Sequence, residues 1–118
     1  MLKFLFLVLF SFPAFACLGV NVDGKLAVDG QTWKMNQTLT FGREHAFRMG
    51  PYILSMTVTH SKTDFLVKYK VEEKQGTKLV TVTRGEEGEI DLNASRDIMA
   101  KGLEGQPNSI ITLQLRDI

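Results

Sequence analysis

Hydrophobic side chains recur at every second position through much of this chain. Between Tyr52 and Thr59, Leu54, Met56 and Val58 fall on one side while Ser55, Thr57 and Thr59 fall on the other. Phe65, Val67, Tyr69 and Val71 alternate with Lys68, Lys70 and Glu72, and Ile111, Leu113 and Leu115 alternate with Thr112, Gln114 and Arg116. A strand turns successive side chains to opposite faces, so this period predicts antiparallel strands with one buried and one wet face.

Shorter strands are expected between turn signals. Asp23-Gly24 and Asp29-Gly30 suit two-residue hairpin turns, whose central positions need positive φ. They delimit 19–22, 25–28 and 31–35, and Asn36-Gln37 reads as a further turn into 38–41. Gly50-Pro51 closes the run 45–49, and Gln75-Gly76 precedes 78–84. Residues 85–88 read as the turn into 89–92. The stretch 93–102 has capping residues at its start and Gly102 at its end, which suits a short helical turn or an irregular loop. Residues 102–109, with Pro107, form a loop. The sum is an all-β fold, a single antiparallel β-sandwich-like domain of about eight short strands.

The period-two pattern does not reach the beginning of the chain. Lys3 is followed by an apolar run from Phe4 to Phe12, then by Pro13 and Ala14-Phe15-Ala16-Cys17. One positive charge, a short apolar run and small residues at −3 and −1 are the layout of a secretory signal peptide. The run falls short of the roughly 20 apolar residues a spanning helix needs. The expected division is a signal peptide over 1–16, cleavage between Ala16 and Cys17, and one domain over 17–118, a length that suits a single core.

Cysteine usage sharpens this reading. Cys17 is the only cysteine, so the domain has no internal disulfide and depends on core burial and strand pairing. The junction resembles the lipobox of bacterial lipoproteins, in which a cysteine following a small residue carries the lipid. Ala16 fits that pattern, whereas Phe15 and Ala14 depart from it at −2 and −3. Two outcomes are open: lipid attachment at Cys17, or ordinary cleavage leaving a free thiol. The missing disulfides and this junction favour a bacterial source.

Charge adds an exclusion. The chain has 14 basic and 13 acidic residues, and Lys3 belongs to the leader, so the domain is balanced. That balance gives no reason to expect nucleic acid or anionic lipid as a partner. Membrane association is expected only through a lipid on Cys17.

Candidate chemistry is sparse. His45 and His60 have no second histidine or cysteine at a metal-ligand spacing, and both read as solvated turn residues. His60, Ser61 and Asp64 supply the residue types of a hydrolytic triad, but within one turn they cannot line up as nucleophile, base and orienter. Glu86, Glu87, Glu89 and Asp91 form an acidic cluster that reads as a wet strand face. The string Asp91, Asn93, Ser95, Asp97 spaces oxygens like a calcium loop, but Arg96 stands where that loop needs glycine and Gly102 where it needs glutamate.

Asn36-Gln37-Thr38 and Asn93-Ala94-Ser95 match the glycosylation acceptor pattern and read as surface loops. Lys68, Lys70, Lys74 and Lys78 read as the exposed face of a hairpin, where charge discourages edge-to-edge association. Trp33 is equally suited to anchoring a core or to forming a ligand platform. The run 78–92 resembles the strand, Gly-acid turn, strand element of the outer-membrane channels called secretins. The likeness covers one hairpin-sized stretch and implies no function.

No catalytic, cofactor or metal site is therefore expected. The functional expectation is an exported envelope or periplasmic protein, a non-enzymatic protein-binding or accessory module whose partner is another envelope protein. The alternatives are a secreted inhibitor or adhesin-like domain and, disfavoured, a small periplasmic hydrolase.

Overall fold

In the computed structural model, the described residues are 19–61 and 63–118. The expected leader, its expected cleavage junction and Cys17 lie outside them, as does Lys62. Eight strands make up the fold: β1 Gly19–Val28, β2 Gln31–Thr40, β3 His45–Met49, β4 Tyr52–His60, β5 Phe65–Gln75, β6 Lys78–Ile90, β7 Ser95–Ala100 and β8 Ser109–Arg116. They pair antiparallel in two four-stranded sheets, ordered β2-β1-β8-β7 and β3-β4-β5-β6. The fold is the expected all-β sandwich.

Alternation builds the core. Val20, Val22, Leu26 and Val28 of β1 face inward beside Ile111, Leu113 and Leu115 of β8. The other sheet contributes Leu54, Met56 and Val58 of β4 and Val67 and Val71 of β5, all fully buried. Each such side chain contributes about 1.5–3 kcal/mol on leaving water, the main stabilising term in a chain without disulfides.

Four expected breaks lie elsewhere or do not exist. Asp23-Gly24 is no turn; it lies inside β1, in unbroken register with Asn36 and Met35 of β2. Turning there would pull Val20 and Val22 off the face that Leu26 and Val28 continue. Gly24 instead makes room, since a Cβ would lie 2.9 Å from the Met35 sulfur. Asn36-Gln37 is likewise mid-strand, tied across to β1 by reciprocal 3.2 Å amide hydrogen bonds between Asn36 and Asn21. The hairpin turns once, at Asp29-Gly30, where both residues have positive φ (51° and 77°).

The third correction is β6, which runs straight through Gly85–Gly88. It has irregularities opposite Phe65–Val67 and Val71–Glu72. These absorb extra residues that would otherwise flip the inward set to the outer face. Gly85 leaves room for the Tyr69 ring, whose hydroxyl would sit 2.6 Å from a Cβ there. The likeness to a strand–turn–strand element over 78–92 thus falls on one strand.

The fourth correction is the stretch 93–102. It contains β7, not a helix, because Ile98 and Ala100 are buried against β8 while Asp97 and Met99 face water. Asn93, at φ 65°, makes the corner, and its N–H donates to the Leu115 carbonyl at 2.7 Å.

Candidate functional site

The residue types expected to carry chemistry are dispersed. His45 accepts a hydrogen bond at Nε2 from the Thr40 backbone N–H at 3.2 Å, so it ties β3 to the end of β2. His60 packs between Phe41 and Phe65, with ring centroids 5.9 and 4.9 Å away. Ser61 and Asp64 meet through backbone, N–H to carbonyl at 2.8 Å, which closes their loop. Among the described residues no group of three or more His, Cys, Asp or Glu is placed to hold a metal ion.

The acidic cluster separates in the same way. Glu87 faces Arg96, whereas Glu86 lies opposite Lys68 on the outer face. Lys68, Lys70 and Lys74 do lie on the water-facing side of β5, and Lys70 approaches Glu72 at 3.8 Å. Asn93 is exposed at a corner, but Asn36 lies within a strand rather than a loop. Trp33 is a core anchor. It packs edge-on to Tyr52 at 5.5 Å and covers Gly50, where a Cβ would lie 2.7 Å from the indole. Burial, followed by the charges of Glu73 and Asp29, raises the Tyr52 phenol above its ordinary pKa. Burial, then Glu87, does the same for Tyr69.

What the fold assembles instead is a contrast between its two flanks. Along β6 and β7, the Arg96 guanidinium crosses from one sheet to the other. It bonds Glu87 at 2.6 Å and the Glu89 carbonyl at 2.7 Å. The loop after β7 continues the closure: Thr83 donates its hydroxyl to the Lys101 carbonyl at 2.7 Å, and Leu103 N–H reaches the Val82 carbonyl at 2.8 Å. At Val82 and Glu89 the edge of β6 is covered.

Along β2 it is not. A two-residue type I′ turn makes Val28 and Gln31 a hydrogen-bonded pair, and antiparallel alternation repeats that state at every second pair. Gln31, Trp33, Met35, Gln37 and Leu39 therefore bond to β1, and the even residues aim their N–H and C=O groups outward. Thr40, whose N–H meets His45, agrees with this phase. Thr32, Lys34, Asn36 and Thr38 are exposed, and among the described residues no strand pairs with that side of β2.

Natural edges are blunted by charge, proline, bulges or short length. Over its ten residues β2 has one charge, Lys34, no proline, and an unbroken register. The remaining edges differ: β3 has five residues, and β7 has six with Arg96 pointing inward.

The spacing of Trp33, Met35 and Leu39 keeps its period through Asn36-Gln37 and is the sequence signal for the full length of β2; that β2 is an edge follows only from the sheet order. Compared with family models, curated proteins and solved structures, the chain matches none.

Proposed function

We propose that this protein is an exported, non-enzymatic protein-binding module of the bacterial envelope, and that β2 receives an extended segment of another envelope protein. The observation that carries this is the run of four outward main-chain pairs on β2, at Thr32, Lys34, Asn36 and Thr38. Strand addition draws affinity from such groups and specificity from the alternating side chains beside them. The leader over 1–16 supports export, and a lipid on Cys17 would tether the module to a membrane.

Site-specific photo-crosslinking in exporting cells tests the reading. A benzophenone side chain at Thr38 is expected to give a discrete protein adduct, and one at Asp97 on β7 is not. Thr38→Pro, tested with the probe at Lys34, removes an outward N–H without touching a main-chain β1–β2 bond, losing only the long 3.5 Å side-chain contact from Asn21, and should abolish the adduct. Equal adducts from both flanks, or an adduct indifferent to proline, would end the proposal.

A further inference from the structure

We infer that the segment received by β2 has an acidic residue flanked by apolar ones, the acid standing opposite Lys34. The inference rests on the strand-addition reading above. Its independent ground is the charge pattern of the outer face. Lys34 is in register with Lys25 of β1, and both side chains face water. Theirs is a non-hydrogen-bonded pair by the alternation already derived, the kind that brings side chains closest, and like charges so placed repel.

No ion pair among the described residues relieves either lysine. The nearby Asp23 carboxylate lies 3.5 Å from Arg116, and Asp97 stands at the far end of the row, beyond Thr112. A strand laid beside β2 puts one residue directly opposite Lys34 on this same face. Asp23, on the same face but diagonal to Lys34, is shared with Arg116, and a carboxylate directly opposite Lys34 adds an attraction to set against the Lys25–Lys34 repulsion. The residues on either side of it turn to the core face, beside the half-buried side chains of Trp33 and Met35. An apolar–acidic–apolar order therefore matches both faces of the edge. A second copy of β2 matches less well, since its only charge is another lysine.

The test uses the exported protein and the probe peptide acetyl-Ser-Thr-Val-Glu-Ile-Thr-Ser-amide, with a second peptide in which lysine replaces glutamate. Binding is followed by fluorescence anisotropy of end-labelled peptide at low salt. The glutamate peptide should bind about two- to fivefold tighter than the lysine peptide, within the range expected of one cross-strand charge pair. Lys34→Glu should reverse that order, and raised salt should shrink it. Equal binding of both peptides, abolished by Thr38→Pro, would overturn the acidic preference and leave strand addition standing. Binding of neither peptide overturns the inference, whereas the Thr38 and Asp97 adducts judge strand addition independently. Sedimentation showing a dimer that Thr38→Pro dissociates would assign the edge to a second copy and overturn it as well.

Discussion

The two flanks of this sandwich solve the same problem in opposite ways. On the β6/β7 side, a guanidinium, a hydroxyl and a backbone N–H reach across the gap between sheets and occupy main-chain acceptors. On the β2/β3 side the seam is apolar apart from the Thr40–His45 hydrogen bond at its end, with Trp33 lying on Gly50 and against Tyr52, and among the described residues no strand covers the outer rim of β2 from Thr32 to Thr38. An open edge is a hazard because it templates pairing with other chains. Across the sandwich β6 is tied at Val82 and Glu89, and β2 between Thr32 and Thr38 has no such tie among the described residues.

The largest effect is expected on the covered flank. A Cβ at Gly102 would lie 2.2 Å from the Pro107 carbonyl and 2.4 Å from that of Gln106. Both are backbone atoms, so the loop must move. Gly102→Ala should cost about 2–3 kcal/mol in chemical denaturation, in the upper range of overpacking penalties. It should also speed hydrogen exchange at the Leu103 amide. A cost under half of that, with exchange unchanged, would mean the loop does not hold β6.

The matching change on the other flank is Gly50→Ala. Gly50 sits at φ 63°, which costs an L-residue about 1–2 kcal/mol, and the new methyl would push against the indole. Trp33 is the only tryptophan in the chain, so its emission reports the seam directly. A red shift together with a loss of about 2 kcal/mol is expected. Lost stability without a red shift would show that Trp33 does not seal this side.

Arg96 comes next. Its side chain and that of Glu87 are each about a third exposed, which screens the pair and moderates its worth. Arg96→Met should cost about 1 kcal/mol, because Glu87 and the Gly88 and Glu89 carbonyls lose a charged donor. Lys34→Met on the open edge should change stability by no more than about 0.5 kcal/mol, as surface substitutions usually do. Equal costs for the two would erase the distinction between flanks.

Much of the fold was legible in the residues, and the misreadings share one cause. Strands with strict alternation, such as Tyr52–His60 and Ser109–Arg116, announce themselves because burial on one face imposes the period. Gly24 and Gly85 misled because a glycine that clears space for Met35 or Tyr69 looks, in one dimension, like a glycine that bends the chain. The polar groups were legible only as residue types. That Arg96 meets Glu87 while His45 serves Thr40 depends on which strands become neighbours, and local spacing does not contain that information. The open edge was hidden for the same reason, since an edge is a property of sheet order.

The smallest effect should be a gain, and it too compares the flanks. Glu89 has φ 54° at the end of β6, and Asp29 has φ 51° in the β1–β2 turn. Replacing either by glycine removes a left-handed penalty of about 1–2 kcal/mol and adds unfolded-chain entropy worth roughly 0.5–1 kcal/mol. Asp29→Gly should therefore stabilise by about 0.5 kcal/mol, since its position is a turn and nothing more. Glu89→Gly should gain less, because the Glu89 carbonyl accepts from Arg96 and a freer backbone holds that acceptor less firmly. Measured in the Arg96→Met background, where that acceptor no longer matters, Glu89→Gly should recover the full gain. If it gains equally in both backgrounds, the Arg96 bond to this carbonyl does not depend on the corner, and covering the β6 edge rests on the loop after β7 alone.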